Sequence, residues 1–142
     1  RAFFSHLKAG SRDEAIDELS LAMASALGLD PQRVSTAVRE RERLMATGLG
    51  SGLAVPHARL DGLAGPAVGL GISRAGIDFD APDGRPANLV FLLLTPRNDD
   101  GAQLEILADI ARTFRARNAR EQALKATSFT EFVGLMRSNE ED

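Results

Sequence analysis

The sequence predicts an α/β fold in which a mixed β-sheet is flanked by helices. Three observations predict it: helical periodicity with clear end signals in the first third, an unbroken apolar run at residues 89–94, and repeated helix-cap spacing in the last third. Because helices stand at both ends of a strand-rich middle, we expect an α/β sandwich. At 142 residues, the chain fits a single domain over residues 1–142.

The first two predicted helices carry signals at their ends. Ser11 stands three residues before Glu14, which is the spacing of a capping box, and Gly28 lies where a left-handed residue would end that helix. Asp30 followed by Pro31 predicts the start of a second helix, with Asp as the cap and Pro in the first turn. Charged residues at positions 39–43 make the end of this second helix polar.

The middle of the chain predicts short strands separated by turns. Glycines between Thr47 and Gly52 predict a loop, and residues 53–55 a short strand that Pro56 would end. A second strand is predicted at residues 67–72, weakened by two glycines. Residues 81–85 have turn composition, and the apolar run at 89–94 fits a central strand buried on both faces.

The last third predicts helices. The cap spacing recurs three times, at Asp100 and Gln103, at Asn118 and Glu121, and at Ser128 and Glu131. Several basic residues fall in this region, and a solvated face is the favoured interpretation, with a partner-docking patch as the alternative. They are Arg112, Arg115, Arg117, Arg120 and Lys125.

Composition limits the possible functions. The net charge of −3 argues against a general nucleic-acid binder, and the absence of cysteine excludes disulfides and thiolate metal sites. No apolar run is long enough to cross a bilayer, and no signal peptide is visible. We therefore expect a soluble, intracellular domain, and the two distant histidines make a metal site unfavourable.

His57 is the main candidate for chemistry, because the chain has only two histidines and no cysteine. An imidazole nitrogen can carry a phosphoryl group, and such a site needs an exposed ring beside groups that tolerate negative charge. Arg41 and Arg59 supply charge, and the nearby glycines allow backbone N–H groups to approach an anion. The spacing by itself favours the alternative, a surface histidine that follows a strand.

Other motifs fail on their context. The glycines at 48, 50 and 52 follow a helix and precede a strand, which is the wrong order for a dinucleotide-binding loop. Ser51 is not in a G-x-S-x-G nucleophile elbow, because Leu49 and Leu53 occupy the positions where that motif has glycine. The aspartates at 78, 80 and 83 are interrupted by apolar residues and proline, so a solvated turn is a better interpretation than a calcium loop.

Taken in order, the motifs resemble a known family. Arg41-Glu42, Thr47-Gly48, Gly50 and the run from Ala54 to Arg59 are similar to the signature of the fructose/mannitol-type (type-2) enzyme IIA domain. This domain belongs to the bacterial phosphoenolpyruvate-dependent phosphotransferase system, and its nitrogen-regulatory relatives share the signature. The resemblance continues through residues 77–84, 89–94 and 104–112, and so covers nearly the whole chain.

The resemblance implies a three-layer α/β/α sandwich and a cytoplasmic phosphotransferase component. It implies no metal and no organic cofactor. His57 would take a phosphoryl group from the histidine phosphocarrier protein and pass it to an enzyme IIB, or use it in nitrogen-type regulation. Arg41 matches a family arginine near the phosphohistidine, where a guanidinium can pair with phosphate oxygens. Phosphate-binding roles are expected for Thr47, Gly48, Gly50, Ser51 and Arg59.

One departure from the family separates two functional hypotheses. Many members carry a second histidine where this chain has Gln103. Glutamine can hydrogen-bond to a phosphate or to the imidazole, but it cannot titrate; its other interpretation is the N3 partner of an Asp100 cap. The first hypothesis is a phosphocarrier, and the alternative is a regulatory protein-interaction module with weak or no transfer.

Overall fold

The computed structural model describes residues 2–126, 130, 131 and 134. Within them the chain forms six strands and four helices, and no helix is long and apolar enough to cross a membrane. In chain order they are β1 (Ala2–His6), α1 (Arg12–Leu27), α2 (Pro31–Leu44), β2 (Gly48–Gly50), β3 (Leu53–Ala54), β4 (His57–Leu60), β5 (Ala67–Ile77), β6 (Ala87–Pro96), α3 (Asp100–Thr113) and α4 (Arg117–Lys125).

The strands form one mixed sheet, as the sequence predicted. The order is β1-β5-β6-β3-β2, and β4 also pairs with β6. β6 is antiparallel to β5, and it is parallel to β3 near its start and to β4 near its end. β6 is therefore the central strand, which agrees with its continuous apolar sequence.

Alternate residues of β6 face two separate hydrophobic clusters. Val90, Leu92 and Leu94 pack with residues of α1 and α2, whereas Leu89 and Phe91 pack with residues of α3 and α4. This follows from the two-residue side-chain period of a strand. The sheet consequently lies between two helical layers, and the predicted three-layer α/β/α arrangement is confirmed.

The end signals of the first two helices work as predicted. Ser11 caps α1 by accepting from the Glu14 backbone N–H at 3.2 Å, and Gly28 follows it with a left-handed φ of 72°. Asp30 caps α2 by accepting from the Gln32 N–H, with Pro31 in the first turn. These caps are formed by residues only a few positions apart, so the local sequence pattern is enough to predict them.

Several strands differ from the sequence prediction. β1 and β4 were not predicted, residues 48–50 form a short strand instead of a loop, and β5 continues to Ile77 despite its glycines. β3 ends at Ala54, before Pro56 as predicted, but the Pro56 carbonyl accepts from the Leu93 N–H at 3.0 Å and β4 begins at the next residue. Proline removes only a donor, so the ladder along β6 resumes at once.

Two of the predicted caps in the last third are wrong. Asp99, not Asp100, caps α3 by accepting from the Ala102 N–H at 3.1 Å. Asn118 lies inside α4, whose N-cap is Ala116 and has no side-chain hydrogen bond. Ser128, the third predicted cap, lies outside the described residues.

Candidate functional site

His57 is the first residue of β4 and lies opposite Leu93 of β6. Its Nδ1 is 2.8 Å from the Val55 carbonyl oxygen. A carbonyl oxygen only accepts, so Nδ1 carries the proton and the neutral ring has its lone pair on Nε2. Nε2 is therefore the ring nitrogen that can act as a nucleophile.

The imidazole is buried, in contrast to the exposed ring that the sequence predicted. The residue is 6% exposed, and Nε2 has no hydrogen-bond partner among the described residues. Burial arises because β4 pairs with β6 while α2 and α3 flank the same strand end. A buried nitrogen without a hydrogen-bond partner has lost its hydration, which costs free energy. A group that enters the cavity and bonds to this nitrogen offsets that cost.

Burial lowers the pKa of His57, since it disfavours the charged imidazolium. The hydrogen bond to the Val55 carbonyl opposes this effect and raises the pKa, and so does the charge of Glu42. The charges of Arg41 and Arg59 lower it further. With the pKa below its ordinary value, the ring is neutral and nucleophilic at neutral pH.

A cavity of ≈ 450 Å³ opens beside His57. α2 contributes Arg41, β4 contributes Arg59, and α3 contributes Gln103. His57 lies on β4 with Arg59, so three elements bring together four of the residues that the sequence singled out. Its lining is completed by Ala37, Glu40, Leu44, Ala58 and Arg97.

Gln103 holds Arg59 in place. Its Oε1 accepts from the Arg59 Nε at 3.0 Å, and Gln103 is 7% exposed. Its predicted role as partner of an Asp100 cap is wrong, because Asp99 caps α3 and Gln103 lies one position further into the helix. The amide NH₂ of Gln103 remains as the group that can donate to an anion in the cavity.

Glu42 is buried at 5% exposure, although it lies in the polar end of α2. It accepts from the Thr47 backbone N–H at 2.9 Å and from the Thr47 hydroxyl at 2.6 Å, and Arg12 Nη1 lies 3.7 Å away. The sequence did contain a signal: Val34, Val38 and Glu42 recur every four residues, which places all three on the buried face. Thr47 thus anchors the chain after α2 and does not line the cavity.

The glycine-rich segment packs closely against residues 79–83 and does not line the cavity at His57. A Cβ at Gly48 would lie 2.8 Å from the Phe79 carbonyl oxygen, and one at Gly50 would lie 3.0 Å from the Asp83 carboxylate. The Ser51 N–H donates to Asp83 at 2.8 Å; this bond and a second one, from the Arg85 N–H, hold the Asp83 pKa below its ordinary value. The phosphate-binding roles predicted for Thr47, Gly48, Gly50 and Ser51 find no support in this geometry.

Two features of the cavity were missed by sequence reasoning. Arg97, just beyond β6, lines it and also pairs with Asp61 at 3.2 Å. Leu44 lies on its rim with 82% of its surface exposed. Neither Arg97 nor Leu44 belongs to a sequence motif. Among the described residues, no three His, Cys, Asp or Glu side chains are grouped so as to hold a metal ion.

Sequence comparison relates the chain to known proteins. Residues 1–139 match the family model described as "Phosphoenolpyruvate-dependent sugar phosphotransferase system, EIIA 2". The chain is 37% identical over 110 residues to the PTS system fructose-specific EIIA component of Haloferax volcanii, which covers 78% of this chain and 71% of that relative. A nitrogen regulatory protein of Pseudomonas aeruginosa is 34% identical over 118 residues, covering 82% and 77%.

Some relatives are much longer. The PTS system fructose-specific EIIABC component of Bacillus subtilis is 29% identical over 136 residues, which is 95% of this chain but 21% of that relative. The chain therefore corresponds to about a fifth of that protein's length.

Comparison with solved structures agrees with the fold. Nitrogen regulatory protein IIA-Ntr from Neisseria meningitidis has a TM-score of 0.84 at 32% identity, covering 95% of this chain and 91% of that one. Enzyme IIA mannitol of Escherichia coli, solved in complex with phosphorylated enzyme IIB mannitol, has a TM-score of 0.77 at 21% identity, covering 96% and 94%. At this lower identity the likeness concerns the fold alone.

Proposed function

The chain belongs to the EIIA 2 family of the phosphoenolpyruvate-dependent sugar phosphotransferase system, and on that premise we propose that it is a phosphocarrier whose acceptor atom is Nε2 of His57. The observation that supports this most directly is the hydrogen bond from Nδ1 to the Val55 carbonyl, which leaves the lone pair on Nε2. The cavity beside the ring carries the guanidinium groups that a phosphoryl group requires.

The proposed transfer conserves atoms and charge. The lone pair of Nε2 attacks the phosphorus of a phosphohistidine on the donor, the histidine phosphocarrier protein; the new N–P bond forms as the donor's N–P bond breaks. His57 becomes a phosphoimidazolium whose Nδ1–H still donates to Val55. The lone pair returns to the donor's imidazole, and no cofactor takes part.

Three side chains have proposed roles around the phosphoryl group. Arg41 lines the cavity and pairs with the phosphoryl oxygens. Among the described residues, its guanidinium forms no ion pair that would compete with this contact. Arg59 supplies a second positive charge from a position set by Gln103. The Gln103 amide donates a further hydrogen bond. These charges act where negative charge collects during transfer.

The test is labelling from phosphoenolpyruvate with enzyme I and the histidine phosphocarrier protein. We expect an acid-labile adduct on the intact protein, and a ³¹P spectrum that assigns it to Nε2. His57→Ala loses the label, and His6→Gln, which removes the other histidine, keeps it. No label in the wild type, while another EIIA domain is labelled in the same mixture, would overturn the proposal.

The alternative of a regulatory module with weak or no transfer is not favoured. It rested on the replacement of a family histidine by Gln103, yet Gln103 lines the cavity and positions Arg59. Gln103→Glu tests its role, because glutamate still accepts from Arg59 but cannot donate and adds negative charge. We expect slower labelling than in the wild type, with Gln32→Glu on exposed α2 surface as the control. Equal rates in all three proteins would exclude a Gln103 contact to phosphate.

The downstream acceptor is proposed from the relatives. The mannitol complex supports an enzyme IIB, and the nitrogen regulatory relatives support a regulated protein. We propose that the domain acts in the cytoplasm. Capture from extract by the phosphorylated protein, with His57→Ala as the control, decides between an IIB and a regulatory target by the identity of the captured protein.

A further inference from the structure

A second cavity lies apart from His57 and has a different lining. It measures ≈ 470 Å³, similar to the cavity at the histidine, and shares no lining residue with it. The hairpin end after β2, the start of β6 and the outer face of α4 form its walls. Gly52 and Asn88 line it from the hairpin and from β6, and Glu121 lines it from α4.

The lining carries an excess of positive charge. The lining includes three guanidinium groups, those of Arg85, Arg117 and Arg120, and one carboxylate, that of Glu121. A second carboxylate, that of Asp83, lies beside it and accepts from the Arg85 backbone N–H. Arg117 donates from Nε to Glu121 at 2.9 Å, which partly neutralises one of the three. The sequence showed Arg117 and Arg120 only as part of a basic helix surface, whereas the fold adds Arg85 from the loop before β6.

Arg120 is held in position before any ligand arrives. Its Nη1 donates to the Phe114 carbonyl at 2.9 Å and to the Arg115 carbonyl at 2.6 Å, at the end of α3. Its remaining N–H groups therefore belong to a guanidinium whose orientation is already fixed, and less conformational entropy is lost when they bind a phosphate.

From this geometry we propose that the second cavity binds a small phosphorylated metabolite. The guanidinium groups recognise the phosphate, since their planar N–H pairs match its oxygens. Leu89 and Leu124 provide apolar contact for the rest of the molecule, and the volume lies in the range of small-molecule sites. The site is distinct from the phosphoryl site, so it persists when His57 is replaced.

The proposal is tested by amide NMR titration with sodium phosphate at constant ionic strength and pH. We expect saturable shifts at Gly52, Asn88 and Glu121. The double variant R85Q/R117Q, which changes two exposed side chains, weakens the affinity at these amides at least about tenfold. R112Q, an exposed arginine of α3 outside the cavity, is the matched control and leaves the affinity unchanged.

Two further variants separate this site from alternatives. E121Q frees Arg117 and tightens phosphate binding several-fold, since like charge is removed from the lining. R41Q, which removes a phosphate-binding group of the first cavity, weakens the shifts at Ala58 and Gln103 but leaves those at Gly52 and Asn88, so failure of either site is recognised independently. Ribose 5-phosphate binds and ribose does not, as expected for recognition of the phosphate. Absent saturation at the three amides, or an R85Q/R117Q affinity equal to the wild type, would overturn the proposal.

Discussion

Glu42 receives both hydrogen bonds that Thr47 can donate, one from the backbone N–H at 2.9 Å and one from the hydroxyl at 2.6 Å. The carboxylate is almost fully buried, so these bonds replace the water it has lost. They tie the end of α2, which carries Arg41, to the hairpin that leads to His57. The relative position of the arginine and the histidine therefore depends on this pair.

Replacing Thr47 by valine tests that dependence. Valine keeps the size and the backbone N–H but removes the hydroxyl, so the buried carboxylate loses one bond. We expect the free energy of unfolding in urea to fall by about 1.5–3 kcal/mol, the range for hydrogen bonds to charged groups. Thr36→Val on the exposed side of α2 is the control, expected within about 0.5 kcal/mol of the wild type. Equal losses in the two variants would contradict the role of Glu42.

Arg41→Gln separates charge from packing at the cavity. The Arg41 charge lowers the pKa of His57, so its removal shifts that pKa upward in an NMR titration. Loss of the phosphate contact slows labelling by about 10- to 100-fold. Arg43→Gln, on the same helix but exposed and outside the cavity, serves as the comparison. If both variants behave alike, Arg41 has no specific role.

The pKa of His57 also makes a prediction about stability. Burial lowers this pKa in the folded protein, whereas in the unfolded chain the pKa of the histidine is about 6.5. At a pH between these two pKa values, the unfolded chain therefore binds more protons than the folded protein. The free energy of unfolding therefore rises with pH through that interval and levels off above about 6.5. His57→Gln removes this contribution. Urea unfolding from about pH 5 to pH 8 measures it as the difference between the two proteins, and a difference independent of pH would contradict it.

Gly48→Ala tests the close approach behind the hairpin. The added methyl group meets the Phe79 carbonyl oxygen at 2.8 Å and the Ala81 Cα at 3.0 Å, both on backbone that cannot rotate away. We expect a loss of about 1–3 kcal/mol in unfolding free energy. Gly10→Ala, where no heavy atom lies within 4 Å, is the control and stays near the wild type. A loss in Gly10→Ala of the same size would point to a general effect of glycine replacement.

How far the sequence predicts this fold depends on the range of the interactions. Ser11, Gly28 and Asp30 act within their own helix ends, and the sequence located them correctly. β1 and β4 were missed because each is defined by its partner strand, β5 or β6, far along the chain. The cap of α3 was misplaced by one residue, since Asp99 and Asp100 offer the same side chain and only backbone geometry chooses between them.

The site shows the same division. The family resemblance singled out His57, Arg41, Gln103 and Arg59, and the fold brings these four together at one cavity. It did not show that the imidazole is buried, or that the Ser51 N–H is used by Asp83. Those facts depend on contacts that join residues more than thirty positions apart. Arg97 gave no signal because its role depends only on where β6 ends.

The pairing of β4 with β6 has a consequence for how such a site can be lost. Side chains alternate between the two faces of a strand, so a slip of one residue between His57 and Leu93 would turn the imidazole to the opposite face. Every side chain of the site would still be present, yet Nε2 of His57, the proposed acceptor, would no longer meet its cavity. The position of this nitrogen is therefore specified by strand alignment, and a change remote from the cavity can abolish the proposed transfer by shifting that alignment.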